Sequence, residues 1–185
     1  MPERRAGRTV TLRDGASVEL RPIAPEDKSL PLAIFQRLSK KSRYRRFSSN
    51  YRELSPTVLA YFTEVDHSDR EALIALNPGS GEALGVARYV RLSDDREAAE
   101  VAVAVIDDWQ RRGLAPALLT ELSRRAQHAG IRRFVALVRA DNRDAMALFR
   151  RVGDGKPQLM GQNFQVIIKL QPEIDWSNRR DRAVR

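Results

Sequence analysis

The sequence predicts a mixed α/β domain whose sheet has six or seven strands, with helices on both faces. Short apolar runs separated by turn residues indicate an antiparallel N-terminal side, and a run with helical periodicity between two later strands indicates a parallel strand-helix-strand crossover. The chain has 185 residues, which suits one domain. We predict that this domain covers residues 1–170 and that a charged C-terminal tail covers 171–185.

The first half of the chain predicts strands on either side of two or three helices. Residues 9–23 alternate around a turn signal at Asp14 and Gly15, as in a β-hairpin. Helical spacing of apolar residues follows from Pro25 to Leu38 and again over 55–65, where a serine and a proline mark the helix start. Turn-forming residues then separate three apolar runs, which predict an antiparallel meander. These runs are 71–76, 82–92 and 99–106.

The second half predicts the crossover and a closing hairpin. A stripe of leucine and alanine residues runs from Leu114 to the neighbourhood of Gly130 and indicates a long helix. A strand over 133–139 and a helix over 142–152, which begins with a capping asparagine, come next. The apolar runs PQLM and NFQVIIKL complete the sheet.

Composition limits the function classes. The sequence has no cysteine and only two histidines, His67 and His128, so we expect neither disulfides nor thiolate chemistry nor a metal site. The longest apolar stretch, VAVAVI, is far shorter than the ~20 residues that span a bilayer, and no secretory signal is apparent. We therefore expect a cytoplasmic protein without membrane contact, as a monomer or a homodimer.

The charge balance indicates an anionic partner. Lysine and arginine number 33 against 24 aspartates and glutamates, and the excess is concentrated in KKSRYRRF at 40–47 and at the two ends. The basic and aromatic residues of 40–47 could contact phosphates and stack on bases, which makes a nucleic-acid-binding module one hypothesis. A solvated basic helix is the alternative interpretation.

The stretch DDWQRRGLAPALL at 107–119 joins a strand to a helix and predicts an anion site. Helix starts present unpaired N–H groups and partial positive charge. Gly113 can adopt positive φ or lie close to a ligand, Ala115 is small, and Gln110, Arg111 and Arg112 can add donors. Taken alone, the loop favours the alternative interpretation, a plain turn with solvated arginines. It matches neither a Walker loop nor G-x-G-x-x-G, which disfavours nucleoside triphosphates and dinucleotides.

Three motifs in order resemble the GNAT acyltransferase superfamily over about residues 82–170. QRRGLA followed by PALLTEL resembles its Q/R-x-x-G-x-G/A signature, and AEVAVAVIDDW resembles its fourth strand. NRDAMALFRRVG resembles its N-x-x-A-x-x-x-Y-x-x-x-G helix, with Asn142, Ala145 and Gly153 in register. The segments LRPIAPEDKSLPLAIFQRLSKKSRYRRFSS and ELSPTVLAYFTEVD are similar to the acetyltransferase domain of bacterial Pat-type protein lysine acetyltransferases.

The resemblance implies transfer of an acetyl group from acetyl-CoA to a primary amine, without a metal. The favoured acceptor is a protein lysine, while a small-molecule amine and a protein N-terminus stay open. Strand splay, also implied by the family, would leave N–H groups near Val103 to Val105 free to stabilise the thioester oxygen. The implied cofactor-binding residues are Val103, Ala104, Val105, Gln110, Arg111, Arg112, Gly113, Leu114, Ala115, Asn142, Ala145 and Phe149.

Amine acetylation needs a base, because a lysine of pKa ~10.4 is almost fully protonated near pH 7, at a cost of roughly 4 kcal/mol. Glu100 is the one charge on a strand that we expect to be buried on both sides, and desolvation would favour its role as general base, directly or through water. The family also carries a catalytic glutamate on this strand. The alternatives are an ion pair with Arg88 or Arg139, or a solvated strand start, and Glu71 is the second candidate.

The proton donor to the departing thiolate stays unassigned. Many family members have a tyrosine where this sequence has Phe149, which carries no hydroxyl. Tyr89 or Ser93 could serve, or none is needed because a thiolate of pKa ~8.5 already leaves readily. Pro116 removes one donor early in the helix, which first-turn prolines allow. Phe149 also leaves open a non-catalytic, CoA-sensing domain.

Overall fold

The computed structural model describes residues 7–47, 53–152 and 156–171. Within these ranges eight strands form one sheet in the order β1-β2-β3-β4-β5-β6-β8-β7, and five α-helices accompany it. The strands are β1 (Arg8–Thr11), β2 (Ser17–Pro22), β3 (Arg70–Leu76), β4 (Ala83–Arg91), β5 (Ala98–Val105), β6 (Arg133–Arg139), β7 (Gln158–Met160) and β8 (Asn163–Lys169). The helices are α1 (Ser29–Arg37), α2 (Lys40–Phe47), α3 (Pro56–Thr63), α4 (Leu114–His128) and α5 (Arg143–Val152).

The sheet confirms the predicted mixed α/β class. Its pairs are antiparallel except for β5 and β6, which are parallel and joined through α4. The strand count is higher than the predicted six or seven, since the outermost strands β1 and β7 are only four and three residues long. Among the described residues, no helix is long and apolar enough to cross a membrane.

The predicted helix from Pro25 to Leu38 divides into two parts. Pro25–Lys28 forms a 3-10 turn, and α1 begins only at Ser29. The turn is tied down by Asp27, whose carboxylate accepts from the Ala24 N–H at 2.8 Å and from the Arg21 guanidinium at 2.6 and 2.8 Å. The Arg21 hydrogen bonds lower the pKa of Asp27 although partial burial opposes them.

The two faces of the sheet are covered by different helices. Helix α4 packs on β3, β4 and β5, and its apolar stripe lies in the core as predicted. Helices α1 and α3 cover the opposite face, where Ile34 and Phe35 lie against Ala72 and Val86. Because side chains alternate along a strand, neighbouring residues of β3, β4 and β5 belong to opposite faces.

The predicted tail lies almost wholly outside the described residues. Gln171 is described, and its carbonyl accepts from the Gln127 side chain at 2.7 Å. The boundary between one domain over 1–170 and a tail over 171–185 therefore stays a prediction, as does the place of Gly153.

Candidate active site

Strands β5 and β6 separate after a short paired stretch. Their parallel register covers only Ala98 to Glu100 against Arg133 to Val135. Beyond it, β5 continues to Val105 along β4, and β6 continues to Arg139 along β8. The divergence opens the sheet at the carboxyl ends of two parallel strands, where open α/β sheets bind their ligands.

The exposed edge of β5 presents backbone donors to this opening. Ile106 donates to Leu84, and Leu92 donates to Ala98, so the even-numbered residues of β5 bond to β4. By alternation, the N–H groups of Val103 and Val105 point the other way, where the register of β6 has no partner for them. The splay expected near Val103 to Val105 is therefore present.

The loop before α4 has the backbone geometry of an anion site. Gly113 is the N-cap of α4 with φ 97°, and Arg111 has φ 62°. Arg111 and Gly113 have left-handed backbone conformations, and Arg112 between them has a negative φ. Such an alternation directs successive N–H groups toward one point, as in an anion-binding nest. Such a conformation is strained for an arginine and clusters at functional sites.

The loop is fixed to the strand edge by Gln110. Its side-chain amide donates to the Val105 carbonyl at 3.0 Å and contacts the Asp107 carboxylate at 3.2 Å. Arg13, from the turn between β1 and β2, lies beside the loop. A Cβ atom added to Gly113 would lie 3.5 Å from Cγ of Arg13. Strand edge, loop and helix start thus form one rigid unit.

A cleft of about 950 Å³ occupies the opening between β5 and β6 and extends beneath α2 and α3. It is mainly cationic, because five arginines line it against Glu100 and Asp144. These arginines are Arg13, Arg45, Arg46, Arg88 and Arg111. No group of three or more histidine, aspartate or glutamate side chains in the described ranges could hold a metal ion.

Most of the residues singled out from the sequence line this cleft. They are Glu100, Val103, Ala104, Val105, Gln110, Arg111, Gly113, Ala115, Asn142, Ala145 and Phe149. Arg112 and Leu114 do not line it. The Arg112 guanidinium is ion-paired with Asp14 and stacks on Trp109 at 3.9 Å, while the Leu114 side chain is buried in the core. Their predicted role in cofactor binding stays a prediction.

Glu100 lies in the cleft but is not desolvated as expected. The residue is exposed, so the prediction of a strand buried on both sides is wrong at this position, because its side chain lies in the open cleft on the face opposite α4. The alternative ion pairs are absent among the described residues. Arg139 pairs with Asp141 at 3.1 Å, and no carboxylate lies within 4.0 Å of Arg88.

The other candidates lie elsewhere. Glu71 is buried on the α4 face, where its carboxylate contacts His67 at 2.7 Å and Arg125 at 3.4 Å. Tyr89 is buried on the same face and donates to the Ser68 carbonyl at 3.0 Å, and burial raises its pKa. Ser93 is exposed beyond the end of β4 and is not among the cleft residues.

Sequence reasoning gave no role to several side chains of the cleft, among them Arg13 and Tyr61, and it named Arg88 only as an alternative ion-pair partner of Glu100. The Arg88 guanidinium stacks on the Tyr61 ring at 4.4 Å and on the Phe62 ring at 5.1 Å. Burial, together with the nearby charge of Arg88, lowers the pKa of Arg46 to about 10. The sequence signal for Arg88 was its position within the mostly apolar run 82–92.

Three arginines of the basic stretch 40–47 make contacts within the protein, whereas its two lysines are exposed. Arg43 donates to the Leu38 carbonyl at 3.0 Å and stacks on Phe35, and Arg45 donates to the Asp141 carbonyl at 2.6 Å. Arg46 lines the cleft. These contacts account for the three arginines, and nucleic-acid binding by the stretch stays a hypothesis.

Comparison with known proteins identifies the family. The sequence profile of the Acetyltransferase (GNAT) family matches residues 34–154. The chain belongs to this family. This GNAT chain is 34% identical over 144 residues to acetyltransferase Pat of Mycolicibacterium smegmatis, a match that covers 78% of the chain and 43% of that relative. The chain thus spans less than half the length of this relative.

Solved structures agree with the family. The GNAT domain of S. lividans PAT superposes with a TM-score of 0.83 at 31% identity, covering 89% of this chain and 97% of that one. The yncA protein of Salmonella typhimurium, solved with acetyl-CoA, gives a TM-score of 0.65 at 18% identity, covering 84% and 95% of the two chains. The second likeness shows the fold alone.

Proposed function

We propose that this GNAT chain transfers the acetyl group of acetyl-CoA to a primary amine, with a protein lysine as acceptor and Glu100 as general base. The proposal is supported by three features of one cleft: the helix start at Gly113, the open strand edge at Val103 and Val105, and the Glu100 carboxylate. Each matches a different chemical need of acyl transfer from a diphosphate-bearing thioester.

Cosubstrate binding is assigned to the loop and the helix start. The N–H groups from Gly113 to Ala115 are directed outward from the first turn of α4, and Pro116 contributes none. The diphosphate of acetyl-CoA binds to them, with Arg13 and Arg111 as additional cations on the cleft wall. The pantetheine arm then runs along β5, an extended chain beside an unpaired strand edge.

The reacting thioester lies at the splay. The N–H groups of Val103 and Val105 donate to the carbonyl oxygen as it gains negative charge. The amine nitrogen attacks the thioester carbon, a C–N bond forms, and the C–S bond breaks with its electron pair on sulfur. The proton lost from nitrogen passes to Glu100, directly or through water.

No side chain is assigned as proton donor to sulfur. Phe149 lines the cleft at the family's tyrosine position and cannot donate. The hydroxyl groups on the described cleft wall belong to Ser42 and Tyr61. Neither is required, because a thiolate of pKa ~8.5 is a good leaving group near neutral pH.

A protein lysine is supported as the acceptor by the likeness to acetyltransferase Pat and to the S. lividans PAT domain. The exposure of Glu100 in an open cleft agrees with an acceptor that enters from outside, on a side chain of another molecule. Small-molecule amines fit the same opening.

A thiol-release assay tests the proposal. Acetyl-CoA is incubated with amines, polyamines, aminoglycosides and lysine-containing proteins, and free CoA is measured together with the mass of the acceptor. We expect acceptor-dependent thiol release. Acetyl-CoA binding without release in any arm contradicts catalysis and supports the CoA-sensing alternative, and inhibition by RNA that weakens steeply with salt supports the nucleic-acid alternative.

A further inference from the structure

Arg88 is a buried cation that has no carboxylate partner among the described residues. It belongs to β4, and only 8% of the residue is exposed. Its Nη2 is shielded from solvent and has no hydrogen-bond partner in the part of the chain that the structure describes. Buried guanidinium groups are normally paired, because an unpaired charge in the interior is destabilising by several kcal/mol. The aromatic rings of Tyr61 and Phe62 cover the group without replacing such a partner.

A second guanidinium adds to this positive charge. Arg46 of α2 lines the same cleft, and it lies close enough to Arg88 for their charges to repel. Glu100 is the acidic group whose charge opposes both of them. Two cations thus face the part of the cleft in which the acceptor must lie.

The register places Arg88 close to the reacting group. Arg88 pairs with Ala102, and Glu100 pairs with Val90, so Arg88 and Glu100 lie on one face as diagonal neighbours. Diagonal Cβ atoms in antiparallel sheets are about 7–8 Å apart, and both side chains can shorten that gap. A molecule of a few atoms can therefore contact both.

We propose that the acceptor carries a carboxylate next to its amine, and that Arg88, with Arg46 beside it, binds this carboxylate while the amine faces Glu100. The inference rests on the proposed acetyl transfer and narrows its acceptor class. The planar guanidinium matches a carboxylate through two parallel hydrogen bonds. The carboxylate comes either from a small amino acid or from an acidic residue beside the lysine of a protein.

The cation pair also explains how the amine becomes reactive. A positive field disfavours a second cation, so an ammonium group near Arg88 and Arg46 loses its proton more readily. An acceptor with its own carboxylate is still attracted to the site. The same two residues thus select the acceptor and assist the base.

Matched pairs of acceptors test the inference. Glycine, β-alanine and γ-aminobutyrate are compared with their amides, and acetyl-Glu-Lys-Glu-amide is compared with acetyl-Gln-Lys-Gln-amide. We expect kcat/KM for the carboxylate member to exceed that of its partner at least tenfold in one of the two arms, and that arm identifies the source of the carboxylate. Equal rates within every pair overturn the proposal, as does a preference for O-phosphoethanolamine over β-alanine.

The variants Arg88→Gln and Arg88→Lys assign the preference to this side chain. In the preferred pair, we expect the ratio of kcat/KM for the carboxylate acceptor to kcat/KM for its uncharged partner to fall at least fivefold in both variants. The fall should come from a higher KM for the carboxylate acceptor, and the affinity for acetyl-CoA should be unchanged. Arg132→Gln is the matched control, since Arg132 pairs with Glu97 outside the cleft. A carboxylate preference that persists in both Arg88 variants contradicts the inference.

One measurement separates this inference from the proposed function. Binding of N-acetylglycine and of N-acetylglycinamide to the CoA-loaded protein is followed by NMR, which needs no turnover. Selective binding of the carboxylate that is lost in Arg88→Gln supports the subsite even if no acceptor is acetylated. Acetylation of amines without such selectivity overturns the subsite and leaves acetyl transfer intact.

Discussion

The two faces of the sheet carry buried charges in opposite states. On the α4 face, Arg125 contacts Glu121 at 2.9 Å and Glu71 at 3.4 Å, and Glu71 also contacts His67. On the cleft face, Arg88 has no ion pair among the described residues. Charges on the first face are paired within the fold, whereas Arg88 on the second face is the cation to which we assign the carboxylate of the acceptor.

Burial and neighbouring charges together determine the state of the charges on each face. Burial of Glu121 favours its protonated form, but the hydrogen bonds and charges of Arg124 and Arg125 outweigh this effect and lower its pKa. For Arg88, burial is the largest influence and lowers its pKa, although Tyr61 and Glu100 oppose it. A fold that places an unpaired cation at a cleft retains free energy for binding, at the expense of its own stability.

The largest expected effect is on the cleft face. Glu100→Gln removes the proposed base, and we expect kcat near pH 7 to fall by about 100-fold or more. The difference in kcat between parent and variant should decrease as the pH rises, because a larger fraction of the amine is then deprotonated without a base. Steady-state kinetics from pH 6 to pH 10 check this, with Glu97→Gln as an exposed control. A kcat within threefold of the parent rate would remove Glu100 from the mechanism.

Removing one buried charge from each face of the sheet shows how each charge affects the free energy of unfolding. Glu71→Gln leaves Arg125 with a weaker buried partner, and we expect the free energy of unfolding to fall by about 2–3 kcal/mol. Arg88→Met removes a buried cation that has no ion pair among the described residues, and we expect the free energy of unfolding to rise by about 1–3 kcal/mol. Urea unfolding at pH 7 measures both. Equal losses in the two variants would show that Arg88 is as well satisfied as Glu71.

A smaller effect is expected away from the cleft. Arg21 and Asp27 form a partly buried ion pair. Because the pKa of Asp27 is lowered in the folded protein, its contribution is complete above about pH 4, the unfolded value, and is lost as the pH falls through the folded pKa. We expect Asp27→Asn to reduce stability by about 1–2 kcal/mol at pH 7 and to flatten the acid limb of stability against pH. A parallel acid limb in variant and parent would contradict this.

The smallest effect concerns the link between loop and strand. Gln110→Ala removes the hydrogen bond to the Val105 carbonyl and loosens the loop before α4. We expect affinity for acetyl-CoA to fall about fivefold, the equivalent of about 1 kcal/mol. Calorimetry measures the loss, and an unchanged affinity would show that backbone geometry alone holds the loop.

Local patterns predicted the turn and helix start at Gly113, whereas several side chains of the cleft depend on long-range packing. Gly113 could be found because positive φ, a small neighbour and a helix start are all encoded within a few residues. Arg88 could be named as a neighbour of Glu100, but its stacking on Tyr61 and Phe62 in place of an ion pair with Glu100 depends on long-range packing. Arg46 was interpreted as part of an exposed basic stretch, because nothing in 40–47 shows that α2 turns it into the cleft. The exposure of Glu100 depends likewise on an open cleft over this face of the sheet, which the sequence alone does not determine.

Calorimetric titration with acetyl-CoA tests the central claim most directly, in the parent chain and in two glycine variants of α4. Gly113 and Gly130 flank the two ends of this helix with φ 97° and 81°, so a glutamate strains the backbone at both. Only at Gly113 does the carboxylate occupy the proposed diphosphate site. We predict binding by the parent and by Gly130→Glu, and at least a 100-fold loss in Gly113→Glu. Unchanged affinity in Gly113→Glu, or no heat with the parent, would contradict the account.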